Sequence, residues 1–377
     1  MDFDFTEDQV SLRDAVQRWV EKGFGFERRH ALAKAGGATR AVYTELAELG
    51  LTGLVVPPEH GGMGFGAVEA MVVGEELGRG LVNAPYAHAA LIAPPLLALA
   101  PPALQAAWLP KIAEGSALVI PALNERAARY QVLKVQARAA HSGDGWRLTG
   151  SKTGVPAGDE ADAFIVPART AGDDDDSEGI ALFLVERGAA SLAVRGYPTQ
   201  DGARAAELGF SATPAQMITA DAAEVLARVA DIGIAATCAE AVGLMDRLVA
   251  ITVEYMNTRK QFGVPIASFQ ALRHRIADVK MQLELGRSMS YYATLKLGEP
   301  APQRRRALSQ AKVQLGQSMR FVSQQCVQLH GGIGVTDEYI ASHYFKRLTM
   351  LELAFGDTLH HLGEVSAQMQ DTAGVFA

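Results

Sequence analysis

The 377-residue chain is longer than one hydrophobic core usually organises, so two or three packed domains are expected. Its composition, 49% hydrophobic and 20% charged, excludes wholesale disorder. A net charge of −7, from 35 basic and 42 acidic residues, excludes a global basic field for nucleic acid or an anionic membrane and favours a small-molecule ligand.

The chain opens on Met1-Asp2-Phe3-Asp4-Phe5, acidic and without the apolar core of a signal peptide. Thr6-Glu7-Asp8-Gln9 then has capping-box spacing, with Phe5 and Val10 placed for a hydrophobic staple, and helical patterns with Gly and Pro breaks continue to about residue 115. Tyr86 to Leu109 is the longest apolar stretch. Pro94-Pro95 and Pro101-Pro102 interrupt it, so it cannot run as a membrane span.

From 116 to 222 the pattern turns to short β-type runs: Leu118 to Leu123, Trp146 to Thr149, Ala163 to Val166, Ile180 to Val185 and Leu192 to Val194. Gly143-Asp144-Gly145 and Gly150 supply turns. The acidic run Asp173 to Asp176, with Glu178, reads as a solvated loop.

From 223 to 377 four long helical patterns follow: Ala222 to Thr258, Phe269 to Leu297, Gln303 to Leu329, and Glu338 to the tail. Gly331-Gly332 reads as a helix stop, and short loops between long helices imply a bundle. Cys238 and Cys326, the only cysteines, fall in these helices, as expected in a reducing compartment. The fold class is therefore α+β, mainly α: an N-terminal helical domain (1–115), a middle β-domain (116–222) and a C-terminal four-helix bundle (223–377). A cytoplasmic location is expected.

Neither Gly61-Gly62-Met63-Gly64-Phe65-Gly66 nor Gly331-Gly332-Ile333-Gly334 has dinucleotide-fingerprint spacing after a strand, which argues against a nicotinamide fold. No His and carboxylate spacing for a metal occurs, so no metal site is expected.

Arg259-Lys260-Gln261-Phe262-Gly263-Val264-Pro265-Ile266, followed by Phe269-Gln270, resembles the helix-to-helix turn R-x-x-F-G-x-x-I-x-x-F-Q of the acyl-CoA dehydrogenase family. Gln328-x-x-Gly331-Gly332-x-Gly334 resembles its second signature, and Pro57-Pro58-Glu59-His60-Gly61-Gly62-Met63-Gly64 its N-terminal-domain loop. The resemblance spans the whole chain in order. It implies FAD as cofactor, an acyl-CoA thioester as substrate, α,β-desaturation as reaction and electron-transfer flavoprotein as acceptor. By the same resemblance, Arg259, Gln261, Phe262, Gln328, Gly331, Gly332 and Thr358 contact the cofactor, several of them reaching a flavin held by a neighbouring subunit. An Arg fork and backbone amides suit a pyrophosphate.

The family's chemistry needs a carboxylate base shielded from water beside the α-carbon. In many members it is the Glu of a Y-E-G-T segment. Here the segment is Phe355-Gly356-Asp357-Thr358, with Gly356 at the Glu position. A second family solution places the Glu 26 residues before the Arg, which is Gly233 here. Asp357 and Glu240 are the candidate catalytic residues that remain, with Asp231 a further acid nearby, and each also has a structural reading.

The flavin cradle departs from the family too: T-E-P-x-x-G-S-D becomes Leu123-Asn124-Glu125-Arg126-Ala127-Ala128-Arg129-Tyr130, and G-x-K-x-W-I-T-N-G becomes Gly150 to Gly158. Contacts reaching a neighbour are retained while the chain's own cradle and base are not. That pattern suggests one subunit of a heteromeric enzyme, and the tail from Arg347 to His361 is most similar to small subunits of pimeloyl-CoA dehydrogenases. A homotetramer using Asp357 or Glu240, and a flavin-free acyl-CoA-binding scaffold, are the alternatives. Structural readings cover the rest: His330 and His360-His361 as polar groups at helix ends, the tryptophans as packing residues, Met281, Met289 and Met319 as core filler, and Arg304-Arg305-Arg306 as solvated surface or a coenzyme A phosphate contact.

Overall fold

The computed structural model describes residues 4–37, 39–143 and 145–372. Met1 to Phe3 and Asp144, cited above for the N-terminus and a turn, lie outside the described residues. In chain order the elements are α1 (Glu7–Gly23), α2 (Phe26–Lys34), α3 (Arg40–Glu48), α4 (Ala67–Arg79), a π-helical stretch (Ala87–Ile92) running into α5 (Ala93–Leu97), and α6 (Pro102–Ala113). The strands β1 (Val119–Pro121), β2 (Arg138–Ser142), β3 (Gly145–Pro156), β4 (Ala163–Arg169), β5 (Ile180–Glu186), β6 (Leu192–Pro198) and β7 (Arg204–Thr219) follow. Then come α7 (Ala223–Thr258), the hairpin β8 (Lys260–Gln261) and β9 (Val264–Pro265), α8 (Gln270–Lys296), α9 (Ala301–His330), α10 (Ile340–Leu353) and α11 (Thr358–Thr372).

The elements gather into two compact units. One comprises Met1–Arg29, Ala67–Val82 and Ile234–Ala377; the other comprises His30–Gly66 and Asn83–Gly233.

In the first unit, α1 starts with the expected capping box: the Thr6 hydroxyl accepts from Gln9 N–H, and the Gln9 side chain accepts from Thr6 N–H. The staple does not form. Val10 is 42% exposed, and Phe5 instead meets the Tyr291 ring edge and the Arg13 guanidinium. The core is built on α7, where Ile234, Cys238, Val242, Met245 and Leu248 pack with Leu283, Leu308, Leu315 and Met319. Glycines let α4 and α7 approach backbone to backbone: a Cβ on Gly243 would lie 1.8 Å from Glu75 O, and one on Gly78 would lie 2.2 Å from Glu240 O. Both cysteines are buried free thiols.

The fourth helical pattern is two helices, not one. Phe355 and Gly356 both take positive φ, at 55° and 108°, which no helix continues through, and the chain turns between α10 and α11. Met281 is 54% exposed and is not core filler. Arg304 is 4% exposed and donates to Glu299 O at 3.1 Å, capping a turn rather than lying on a solvated surface.

In the second unit the strands run β1-β4-β2-β3-β7-β5, with β6 on β7, and β4 pairs with β5 to close the path. Two strands have no apolar run in the sequence. β2 is a polar strand on β3, and β7 is an Ala-rich strand of 16 residues that pairs with β3, β5 and β6. Their partners, not their own propensity, make them strands. The acidic loop is organised rather than merely solvated: buried Arg169 donates to the carbonyls of Leu133, Val135, Asp174, Asp176 and Glu178, while Arg138 pairs with Asp174 and Lys134 with Asp175. The N-terminal helical, middle β and C-terminal helical organisation agrees with the sequence reading.

Candidate active site

At the end of α7, the β8–β9 hairpin turns through Phe262 and Gly263, both with positive φ (51° and 81°), as a two-residue hairpin requires. The turn holds Phe262 91% exposed, against the edge of Phe269. Ile266 anchors the hairpin by packing with Met256 and Leu329, so the Arg259 turn and the end of α9 share one small core. Arg259 is tied through its backbone, its N–H donating to Tyr255 O and its carbonyl accepting from Ile266 N–H, while the residue itself is exposed. Gln261 donates to Lys260 O.

α9 stops at His330, with Gly331 at φ 64° as its cap. Gln328, Gly331 and Gly332 are exposed, and nothing lies within 4 Å of the missing Cβ of either glycine, so their backbone is open to approach. His330 is buried between the rings of Tyr255 (4.7 Å) and Tyr339 (5.0 Å). Its Nδ1–H donates to Cys326 O at 2.8 Å, and burial holds its pKa below the usual imidazole value. The structure therefore brings Arg259, Gln261, Phe262, Gln328, Gly331 and Gly332 to one end of this unit.

The second cluster surrounds the loop after α10. Lys312, fully buried on α9, donates to Leu351 O (3.1 Å), Glu352 O (2.8 Å) and Gly356 O (2.7 Å). Burial lowers its pKa to about 8. Glu352 Oε1 accepts from the Thr358 hydroxyl (2.6 Å), from Thr358 N–H (3.1 Å) and from Arg320 (3.3 Å). Asp357 Oδ1 accepts from His360 N–H at 2.8 Å, the geometry of a helix N-cap on α11.

His361 is buried with Nε2 2.9 Å from Phe355 O and Nδ1 3.2 Å from the Ser309 hydroxyl, which fixes the neutral ring with its proton on Nε2. Burial lowers its pKa to about 3. At Gly356 an added Cβ would meet His361 Nε2 at 2.5 Å and His360 Cδ2 at 2.6 Å. Position 356, where the family resemblance leads one to expect the base, is thus filled by two imidazoles on a backbone that suits glycine.

The other candidate carboxylate is separately engaged. Glu240 receives a fork from Arg347, Nε at 2.6 Å and Nη2 at 2.9 Å. Asp231, lower on α7, is 1% exposed. Thr358 is turned to Glu352 and is not part of the cluster at the Arg259 turn. Lys312, Glu352, Arg320 and Ser309 were not singled out in the sequence. Charged residues at helical spacing otherwise look like ordinary surface positions, and the only warning was their mismatch with an apolar bundle face.

In the second unit the segments corresponding to the flavin cradle serve the domain itself. Glu125 accepts from Lys152 Nζ (2.6 Å), Gln136 N–H (2.7 Å) and Ala137 N–H (3.2 Å), with both charged side chains buried. The Thr153 hydroxyl donates to Glu207, and Thr153 N–H to Asn124 O.

Residues 6–116, 121–212 and 223–370 match the models for the N-terminal, middle and C-terminal domains of acyl-CoA dehydrogenases. The acyl-CoA dehydrogenase IpdE2 of Mycobacterium tuberculosis is 31% identical over 343 residues, covering 90% of this chain and 91% of its own. The chain belongs to the acyl-CoA dehydrogenase family. The acyl-CoA dehydrogenase FadE27 of the same organism is 28% identical over 384 residues, covering 99% of this chain and 100% of its own. Among solved structures, the ChsE4-ChsE5 complex from Mycobacterium tuberculosis superposes with a TM-score of 0.87 at 28% identity, over 98% of this chain and 99% of that one.

FAD is the cofactor of this acyl-CoA dehydrogenase family. The Arg259 turn fits a phosphate-bearing group: Arg259 is exposed, and the Gly331 and Gly332 backbone at the same end of the unit is open to approach. The cradle segments of the middle domain fit less well, because the Glu125, Lys152 and Thr153 side chains are committed to internal partners. Among the described residues no helix is long and apolar enough to cross a membrane.

Proposed function

We propose that this chain is the base-deficient subunit of a heteromeric FAD-dependent acyl-CoA dehydrogenase, with the base supplied by an unlike partner subunit. The observation that carries the reading is Gly356, where φ is 108° and the space of a side chain is occupied by His361 and His360. Removal of an α-proton from an acyl-CoA thioester needs a carboxylate with a free lone pair in a dry site. Asp357 is occupied as a helix cap and Glu240 by a bidentate Arg347. A carboxylate held in an arginine fork has its lone pairs already engaged.

FAD, when bound, accepts the β-hydrogen as hydride. This chain's part is to hold and orient: Arg259 and the amides at Gly331 and Gly332 bind the diphosphate, Gln261 and Gln328 add polar contacts, and Phe262 covers an apolar surface. The resemblance of the tail to pimeloyl-CoA dehydrogenase small subunits makes a dicarboxylyl-CoA the first substrate to test, with electron-transfer flavoprotein as acceptor. That a structural relative is the two-component ChsE4-ChsE5 complex also favours this reading.

The test is a visible spectrum of the chain with added FAD, alone and after co-expression with a candidate partner, followed by anaerobic titration with pimeloyl-CoA and other acyl-CoAs. Flavin retention and substrate bleaching only in the mixed complex are expected. A stoichiometric flavin band bleached by substrate in the chain alone would overturn the proposal.

A further inference from the structure

Apart from the Arg259 turn, the first unit contains a cavity of about 600 Å³ lined by α1, the start of α2, α4, α7, α8 and α10, a size suited to a small ligand. Arginines dominate its wall: Arg13, Arg29, Arg79, Arg247 and Arg287. Two are matched by carboxylates. Arg79 pairs with Glu76 at 3.1 Å and with Asp246, and Arg287 pairs with Asp246 at 3.0 Å, Glu284 at 3.3 Å and Glu75 at 3.6 Å. Arg13 and Arg247 are bonded to neutral groups: Arg13 to the Phe5 ring face at 4.2 Å and to Tyr291, Arg247 to Tyr344. Glu21, also on the wall, receives the Gln17 amide at 2.8 Å.

Buried polar atoms on this wall include two, on α1 and α4, that lack a hydrogen-bond partner. Arg13 Nε is one, and Oε1 of Glu75, a residue only 2% exposed, is the other. Burial raises the Glu75 pKa to about 7 against the opposing pull of Arg287 and Arg13. Arg13 lines this cavity, and its Nε–H is a donor that lacks an acceptor. Arg247 and Arg259 are twelve residues apart on and just beyond α7, about 18 Å along the helix, so this wall is separate from the exposed turn.

We propose that this cavity binds a small doubly charged oxyanion, a phosphate or a dicarboxylate, whose oxygens accept from Arg13 and Arg247. Planar guanidinium forks are suited to such groups, and buried charge-assisted hydrogen bonds make each cation count. The site is independent of the heteromer reading, since it uses none of the residues at the flavin-contact turn or the α10–α11 loop.

Calorimetric titration of the full chain with inorganic phosphate, and separately with glutarate, tests it. One saturable site per chain is expected in wild type and in Arg259→Gln, which removes the other cationic cradle. Arg247→Gln, an exposed position that leaves the core intact, is expected to weaken binding about tenfold or more, and Arg13→Gln likewise. Saturation by phosphate alone or glutarate alone identifies the source. Absence of saturation with either ligand in wild type, saturation undiminished in both Arg13→Gln and Arg247→Gln, or loss with Arg259→Gln, would each overturn the proposal and leave the cavity to water.

Discussion

The Arg259 turn and the α10–α11 loop belong to the same compact unit, yet they treat their polar groups in opposite ways. At the turn, Arg259, Gln328 and the amides of Gly331 and Gly332 are exposed, and Phe262 stands 91% in solvent. Around the loop, Lys312, Glu352, Asp357, Thr358 and His361 are bonded to one another or to local backbone, and little is left to offer a ligand. Exposed donors and an exposed aromatic ring at one end of a helical unit suit a surface completed from outside. A loop saturated from within suits a structural joint. On the proposed reading, the contrast separates the binding of a shared cofactor from the removal of a proton.

The strongest way to break this contrast is to put the base back. Gly356→Glu should destabilise the chain by about 3 kcal/mol or more, because the new side chain meets two imidazoles on a left-handed backbone. It should create no acyl-CoA-dependent bleaching in the chain alone. Denaturant unfolding with the anaerobic titration checks both, and bleaching by a folded variant would mean that the loop is a vacated active site rather than a joint.

Acid should open the loop before it affects the turn. The folded-state pKa of His361 is depressed to about 3, so its contribution is fully present above the unfolded value near 6.5 and is lost as pH falls from there toward 3. A loss on the order of a few kcal/mol is expected over that window, and His361→Leu should flatten the dependence in unfolding experiments at stepped pH.

A sharper test lies at the other end. Arg259→Gln should lower FAD affinity of the assembled enzyme by about tenfold to a hundredfold, the range for a lost charge-assisted contact, while the midpoint of unfolding of the chain alone stays within about 0.5 kcal/mol of wild type. Fluorescence titration of apoprotein with FAD measures the first and urea unfolding the second. Equal losses in both would mean that the turn is structural.

The smallest effects are expected at the two carboxylates. Asp357→Ala should cost about 1 kcal/mol of stability as a lost N-cap, and Asp357→Asn and Glu240→Gln should each change turnover of the assembled enzyme less than twofold. Steady-state rates with the best acyl-CoA decide this, and a hundredfold loss in either isostere would make that residue the base.

Much of this was legible in the sequence because it depends on local chemistry. Thr6 and Gln9 announced a cap, the proline-free stretch to Thr258 announced a long helix, and Gly331-Gly332 announced the end of α9, since each acts within a few residues. The order of zones and the family signatures followed from periodicity and from short motifs. The sequence also exposed the absence of a Glu at position 356, because an absent residue type needs no coordinates to be seen.

Tertiary structure decided what depends on distant partners. β7 is a strand because β3, β5 and β6 bond to it, although its alanines give no strand pattern of their own. α1 and α4, early in the chain, belong to the same compact unit as α7 to α11, which no reading in chain order reveals. Glu240 found its arginine 107 positions away, and Lys312 reached three carbonyls about 40 positions on. A carboxylate in sequence is only a possible base; whether its lone pairs are free is set by which cations and donors the fold brings within about 3 Å.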